Sequence, residues 1–107
     1  MRPETRQSLT DAKAAAEEVT TLATPSWQED RTKALAIERL LMIVGEAFVR
    51  IRSSEEGMLE QITDAYKIIG MRNVLVHGYD ALDPARVQDA IEQSLPKLNR
   101  ELDGLLS

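Results

Sequence analysis

The chain has no cysteine, one histidine, one tryptophan, one phenylalanine and two tyrosines in 107 residues, with only four prolines and five glycines. Without cysteine there is no disulfide and no thiolate metal site, and nothing points to an oxidising compartment. With one histidine, a histidine-based metal centre within one chain lacks ligands, so no metal or other cofactor is expected. The longest apolar run, Leu40-Leu41-Met42-Ile43-Val44, falls far short of the roughly 20 residues that span a bilayer. No apolar segment follows Met1 to act as a signal peptide; Met1-Arg2-Pro3-Glu4-Thr5-Arg6 runs into mixed charged and small residues. These absences lead to the expectation of a soluble, cytoplasmic protein with one domain over residues 1–107. Negative charge is in excess: the net charge is −5 and the pI about 4.9. An acidic surface repels polyanions, which counts against general high-affinity nucleic-acid binding while leaving room for a small basic cleft.

What remains reads as helix throughout. Ala, Leu, Glu and Arg dominate, and no stretch alternates β-branched residues as a strand would. A first helix is expected over about 4–22, with Leu9, Ala12, Ala16 and Val19 on one face, ending at Thr24-Pro25. A second is expected from a capping box at Ser26 and Glu29 to about Arg52. Its broad apolar face carries Leu35, Ile37, Leu40, Leu41, Val44, Ala47, Phe48 and Ile51. A third, over about 60–77, carries Ile62, Tyr66, Ile69, Val74 and Val76, and Gly78 suits a left-handed C-cap. Asp83-Pro84 reads as an N-cap followed by proline at the first helical position. Val87, Ile91, Leu95, Leu98, Leu102 and Leu105 then recur at spacings of three and four, and Pro96 should kink or interrupt that helix. The fold class is all-α, a four- to five-helix, mostly antiparallel bundle.

The chemistry-bearing residues cluster at Gly70-Met71-Arg72-Asn73-Val74-Leu75-Val76-His77-Gly78-Tyr79. Arg72 precedes the one histidine, His77, by five residues, and Tyr79 follows two later. Nine of the 107 residues are Arg, so that spacing alone arises about once in twelve by chance and needs support from context. The stretch from Lys67 to His77 holds Lys67, Arg72 and His77 without a carboxylate, so its local sign is positive. On a continuous helix, Arg72 and His77 point about 140° apart, whereas Asn73 and His77 are neighbours. A long arginine side chain can still bend round to the histidine. Two chains pairing with these helices face to face would gather two His, two Arg and two Tyr in one cleft. An imidazole can take the proton of a ribose 2′-OH at neutral pH while a guanidinium stabilises the phosphoryl oxygens. That is metal-free RNA cleavage, and DNA lacks the hydroxyl it needs.

Each residue also has a plainer role. His77 suits a helix-dipole partner, Arg72 one end of a surface ion pair, and Tyr79 a ring packed over the bundle end. Glu46 and Arg50 are spaced for a solvated pair within the second helix. Gly45 costs about 1 kcal/mol against Ala inside a helix, which suggests close approach of another helix or of the motif loop. Trp27 reads as a hydrophobic plug.

The string from Ile69 to Tyr79 resembles the Arg-x4-His-x-Tyr signature of the HepT-like branch of the HEPN superfamily. Ala36-Ile37-Glu38-Arg39-Leu40-Leu41-Met42-Ile43-Val44-Gly45-Glu46-Ala47 is similar to that branch's long-helix segment. Leu82-Asp83 and Leu95-Pro96-Lys97-Leu98 resemble its closing helix, so the likeness runs from about residue 9 to 105. Tyr66 stands where members often have Trp, and Trp27 where Phe is common. The resemblance implies an all-helical homodimer, a metal-independent RNase and the toxin of a type VII-like toxin–antitoxin pair. It implies Arg72 and His77 as the catalytic pair, Asn73 as a polar neighbour orienting His77 or the phosphate, and Glu46 lining the cleft. It further implies a minimal nucleotidyltransferase antitoxin that transfers AMP onto Tyr79; a bulky anion there would block the cleft and repel RNA. The alternatives are a non-catalytic HEPN module that binds nucleotide or a partner protein, and a plain helical adaptor.

Overall fold

A computed structural model describes residues 1–78 and 83–107. Helix α1 spans Pro3–Leu22, α2 Arg31–Ser54, α3 Glu56–Leu59 and α4 Ala65–His77; α5 (Pro84–Asp89) leads through a π-helical turn, Ala90–Ser94, into α6 (Leu95–Leu106). No strand occurs among the described residues, and the all-α bundle expected from the sequence is what forms. Helix α2 is the spine, packed against α1 on one side and α4 on another, while α6 closes on α1. Leu9, Ala12, Ala16 and Val19 of α1 meet Ile37, Leu41, Val44, Ala47, Phe48 and Ile51 of α2 and Leu98 and Leu102 of α6 in one buried cluster. No helix of the described residues is long and apolar enough to cross a membrane.

Three local expectations are corrected and one is borne out. Ser26 does not cap the second helix. It precedes a 3-10 turn, Trp27–Glu29, and Asp30 caps α2 instead, its Oδ1 accepting from the Lys33 amide at 3.1 Å. The turn lets Trp27 bury to 4 % exposure while its Nε1 donates to Gln88 Oε1 at 2.7 Å. Burying an indole outweighs a cap of about 1 kcal/mol, so the plug forms and the helix starts late. The third helix is not continuous from 60. The segment between α3 and α4 is held to α6, with Glu101 accepting from the Thr63 amide (3.1 Å) and hydroxyl (2.7 Å). Lys97 pairs with Asp64 at 3.0 Å. An amide committed to a distant carboxylate is unavailable to a helical ladder, and the turn buries Leu59 and Ile62. Pro96 interrupts the α-helix as expected: a π turn, Ala90–Ser94, precedes it, and α6 begins at Leu95 with the proline in its first turn. The restarted helix keeps the leucine spacing of three and four. Leu95, Leu98 and Leu102 therefore stay buried. Lastly, Leu35, Tyr66 and Val76, expected on apolar faces, are 51 %, 50 % and 46 % exposed.

Two carboxylates tie the N-terminus and the mid-chain turn. Glu55 accepts from the Arg2 amide and the Thr5 hydroxyl, both at 2.9 Å, and those bonds hold its carboxyl below the usual glutamate value. The bond from Lys97 does the same, foremost, for Asp64. Carboxyls whose folded values are depressed stabilise the fold above their unfolded values, and that contribution is lost as pH falls through the folded ones. Thermal unfolding should therefore show stability declining between about pH 5 and pH 2. The decline should be shallower in a Glu55→Gln/Asp64→Asn double variant.

Candidate functional site

Helix α4 ends where its sequence says it should. Gly78 has φ 64° and ψ 18°, and its amide donates to the Val74 carbonyl. Only glycine enters that left-handed region without steric cost. The last turn before this stop carries exposed His77, near the negative end of the helix dipole. Tyr79 lies outside the described residues.

Arg72 faces the other way, onto α2. A β-carbon on Gly45 would fall 2.4 Å from Arg72 Cβ, 3.0 Å from its Cγ and 3.2 Å from the Ile68 carbonyl oxygen. Gly45 is thus the point where the α2 backbone meets α4, and the stem of Arg72 lies across the space a side chain would fill. The reason for a glycine inside a 24-residue helix is this contact.

The arginine then turns outward. Its Nε is sealed from solvent without a hydrogen-bond partner among the described residues; such an unpaired donor costs about 1–3 kcal/mol. Its Nη1 donates to Asn73 Oδ1 at 3.0 Å. Asn73 lies four residues before His77, hence on the same side of α4. The guanidinium, rooted on the core side, is drawn toward the flank on which the imidazole stands. This is the bend the helical angles require if Arg72 and His77 are to act on one group.

Glu46, one residue after Gly45, is half-buried. The expected Glu46–Arg50 pair does not form, because α1 takes the arginine: Arg50 Nη2 lies 3.5 Å from Asp11 Oδ2 and its Nε donates to Ser8 Oγ at 3.3 Å. Glu46 makes no hydrogen bond or ion pair with a described residue, so its carboxylate is not committed to the scaffold. The local charge is also redistributed. Lys67, counted as part of a positive stretch, is bound by Asp89 of α5, a pairing across helices that linear charge counting does not register. Sequence reasoning suspected a close approach at Gly45 but not that Arg72 makes it; a lone glycine amid strong helix formers was the available signal.

Replacing a helical glycine by alanine ordinarily stabilises by about 1 kcal/mol. Gly45→Ala is expected to do the opposite, losing about 1–3 kcal/mol through overpacking against Arg72, as measured by urea unfolding.

The chain matches the family model described as ribonuclease HepT-like over residues 9–105. No curated protein and no solved structure matches it. The matched region runs from the first core leucine, Leu9, through Gly45 and the Arg72–His77 helix to Leu105, and the helical bundle agrees with it. The chain belongs to the HepT-like family of ribonucleases, in the HEPN superfamily.

Proposed function

We propose that this protein is a metal-independent endoribonuclease that uses Arg72 and His77, acting in the cytoplasm as the toxin of a type VII-like toxin–antitoxin pair. Family membership supports RNA as the substrate class. The observation that carries the residue roles is the Arg72–Asn73 bond, which draws the guanidinium from the core side of α4 toward the His77 flank.

His77 takes the proton from the ribose 2′-OH as the oxygen attacks the adjacent phosphorus. Arg72 stabilises the negative charge growing on the non-bridging oxygens. The P–O5′ bond breaks, the departing 5′-oxygen takes up a proton, and the products are a 2′,3′-cyclic phosphate and a 5′-hydroxyl. One histidine per chain supplies one proton-transfer group. A homodimer with the α4 ends facing would supply a second imidazole for the leaving group. Val76, 46 % exposed in the turn beside His77, offers apolar surface for such pairing. Asn73 is the positioning residue for Arg72, and Glu46 lines the cleft. The antitoxin is a minimal nucleotidyltransferase that places AMP on Tyr79, whose added negative charge near His77 would exclude RNA phosphates.

Purified protein in EDTA should cleave single-stranded RNA to products with 2′,3′-cyclic phosphate ends. His77→Ala and Arg72→Ala should each lose about 100-fold or more in rate. Asn73→Ala should lose less. No cleavage by folded, unmodified wild-type dimer, with nucleotide binding retained, would instead assign the protein to the non-catalytic HEPN modules.

A further inference from the structure

Helix α4 carries a stripe that leads from the proposed cutting residues to a glycine and an aromatic ring the reaction leaves unused. Tyr66, Gly70, Asn73 and His77 follow one another at spacings of four, three and four. That is the repeat of one helix face, within about 60° of arc. From Tyr66 to His77 the stripe runs about 16 Å along the axis. At its far end the Tyr66 ring is 50 % exposed, an aromatic surface that the bundle does not cover.

Between these ends, Gly70 removes the side chain that would stand in the middle. A β-carbon there would lie 3.9 Å from Arg86 Nη2, so the guanidinium of Arg86, reaching from α5, rests over the bare Gly70 backbone. The Arg86 side chain makes no hydrogen bond or ion pair with any described residue. Its neighbours on the same helix pair are otherwise committed: Lys67 is bound by Asp89, and Asp83 caps α5 by accepting from the Ala85 amide. Thus an unpaired cation, a flat glycine and an exposed aromatic lead in line to Asn73 and His77.

We propose that this stripe is a binding track for single-stranded RNA, with Tyr66 stacking a base and Arg86 holding a backbone phosphate beside the cut position. It rests on the ribonuclease reading and adds to it how an acidic body retains a polyanion. Stacking on an aromatic face is sequence-tolerant, and a guanidinium reads the phosphate charge. The track therefore favours unpaired strands over duplexes, whose bases are not available to Tyr66.

The test is binding of a 2′-O-methyl RNA oligonucleotide, which cannot be cut, across a salt series, together with cleavage kinetics on the unmodified strand. Arg86→Ala should lower the slope of log K against log salt by about 0.7, the value of one phosphate on a single strand. It should also raise KM about fivefold with kcat unchanged, whereas Arg86→Lys keeps the slope. Tyr66→Ala should weaken binding by about fivefold or more, and Tyr66→Phe should not. Arg100→Ala, an exposed arginine of α6, serves as the charge control and should change neither. Wild-type protein that cuts RNA while Arg86→Ala and Tyr66→Ala keep its KM and salt slope would overturn the track alone. Wild-type protein that neither binds nor cuts RNA would overturn both the ribonuclease reading and the track.

Discussion

The contact between Gly45 and Arg72 is the constraint on which the site depends. Helices normally cross with side chains between them, at axial separations of 8–10 Å. Here α2 brings a bare backbone against the stem of an arginine, leaving only 2.4 Å between Arg72 Cβ and where a β-carbon on Gly45 would be. The stem is fixed, the Nε is sealed away from water, and only the tip of the guanidinium is left to be steered. A surface arginine would lose rotamer freedom whenever it met a phosphate. This one has given up most of it in folding, and preorganisation of that kind is what electrostatic stabilisation of a transition state requires.

Much of the remaining bundle holds α2 and α4 in that relation. Helix α1 packs along α2 and takes Arg50 through Ser8 and Asp11, which removes the obvious partner of Glu46. Glu101 and Lys97 of α6 grip Thr63 and Asp64, fixing the turn that launches α4. From α5, Gln88 reaches Trp27 and Asp89 takes Lys67. Through these contacts the closing helix bears on the entry to α2 and on the flank of α4. Glu46 and Arg86, whose side chains have no partner among the described residues, lie next to Gly45 and over Gly70.

How much of this was legible in the sequence depends on the range of the interaction concerned. The left-handed stop at Gly78, the Asp83-Pro84 start and the leucine series of the last helix were readable because caps and periodicity act within one or two turns. The start of α2 was misread because the local signal at Ser26 competes with burial of Trp27, whose partner Gln88 is 61 residues away. The break before α4 was missed because Glu101, not a neighbour, accepts from the Thr63 amide. The Arg50 pairing failed for the same reason: linear spacing suggests Glu46, while the fold supplies Asp11 from α1. Lys67, read as an unopposed charge, meets Asp89 from α5. The Arg-x4-His motif was visible as letters. The helical angle separating its two residues was also predictable, but the means of overcoming it, a glycine on α2 and an amide at Asn73, belongs to the packed structure.

The most direct test of this account is the effect of Gly45→Ala on unfolding free energy in two backgrounds, wild type and Arg72→Gly, compared as a double-mutant cycle. With Arg72 present, alanine should destabilise the protein. Once the arginine stem is removed, alanine should cost much less than with Arg72 present, the helical advantage of about 1 kcal/mol over glycine offsetting the 3.2 Å approach to the Ile68 carbonyl oxygen that remains. The same change in both backgrounds would mean that Gly45 and Arg72 are not coupled, which would contradict the claim that this crossing sets the arginine.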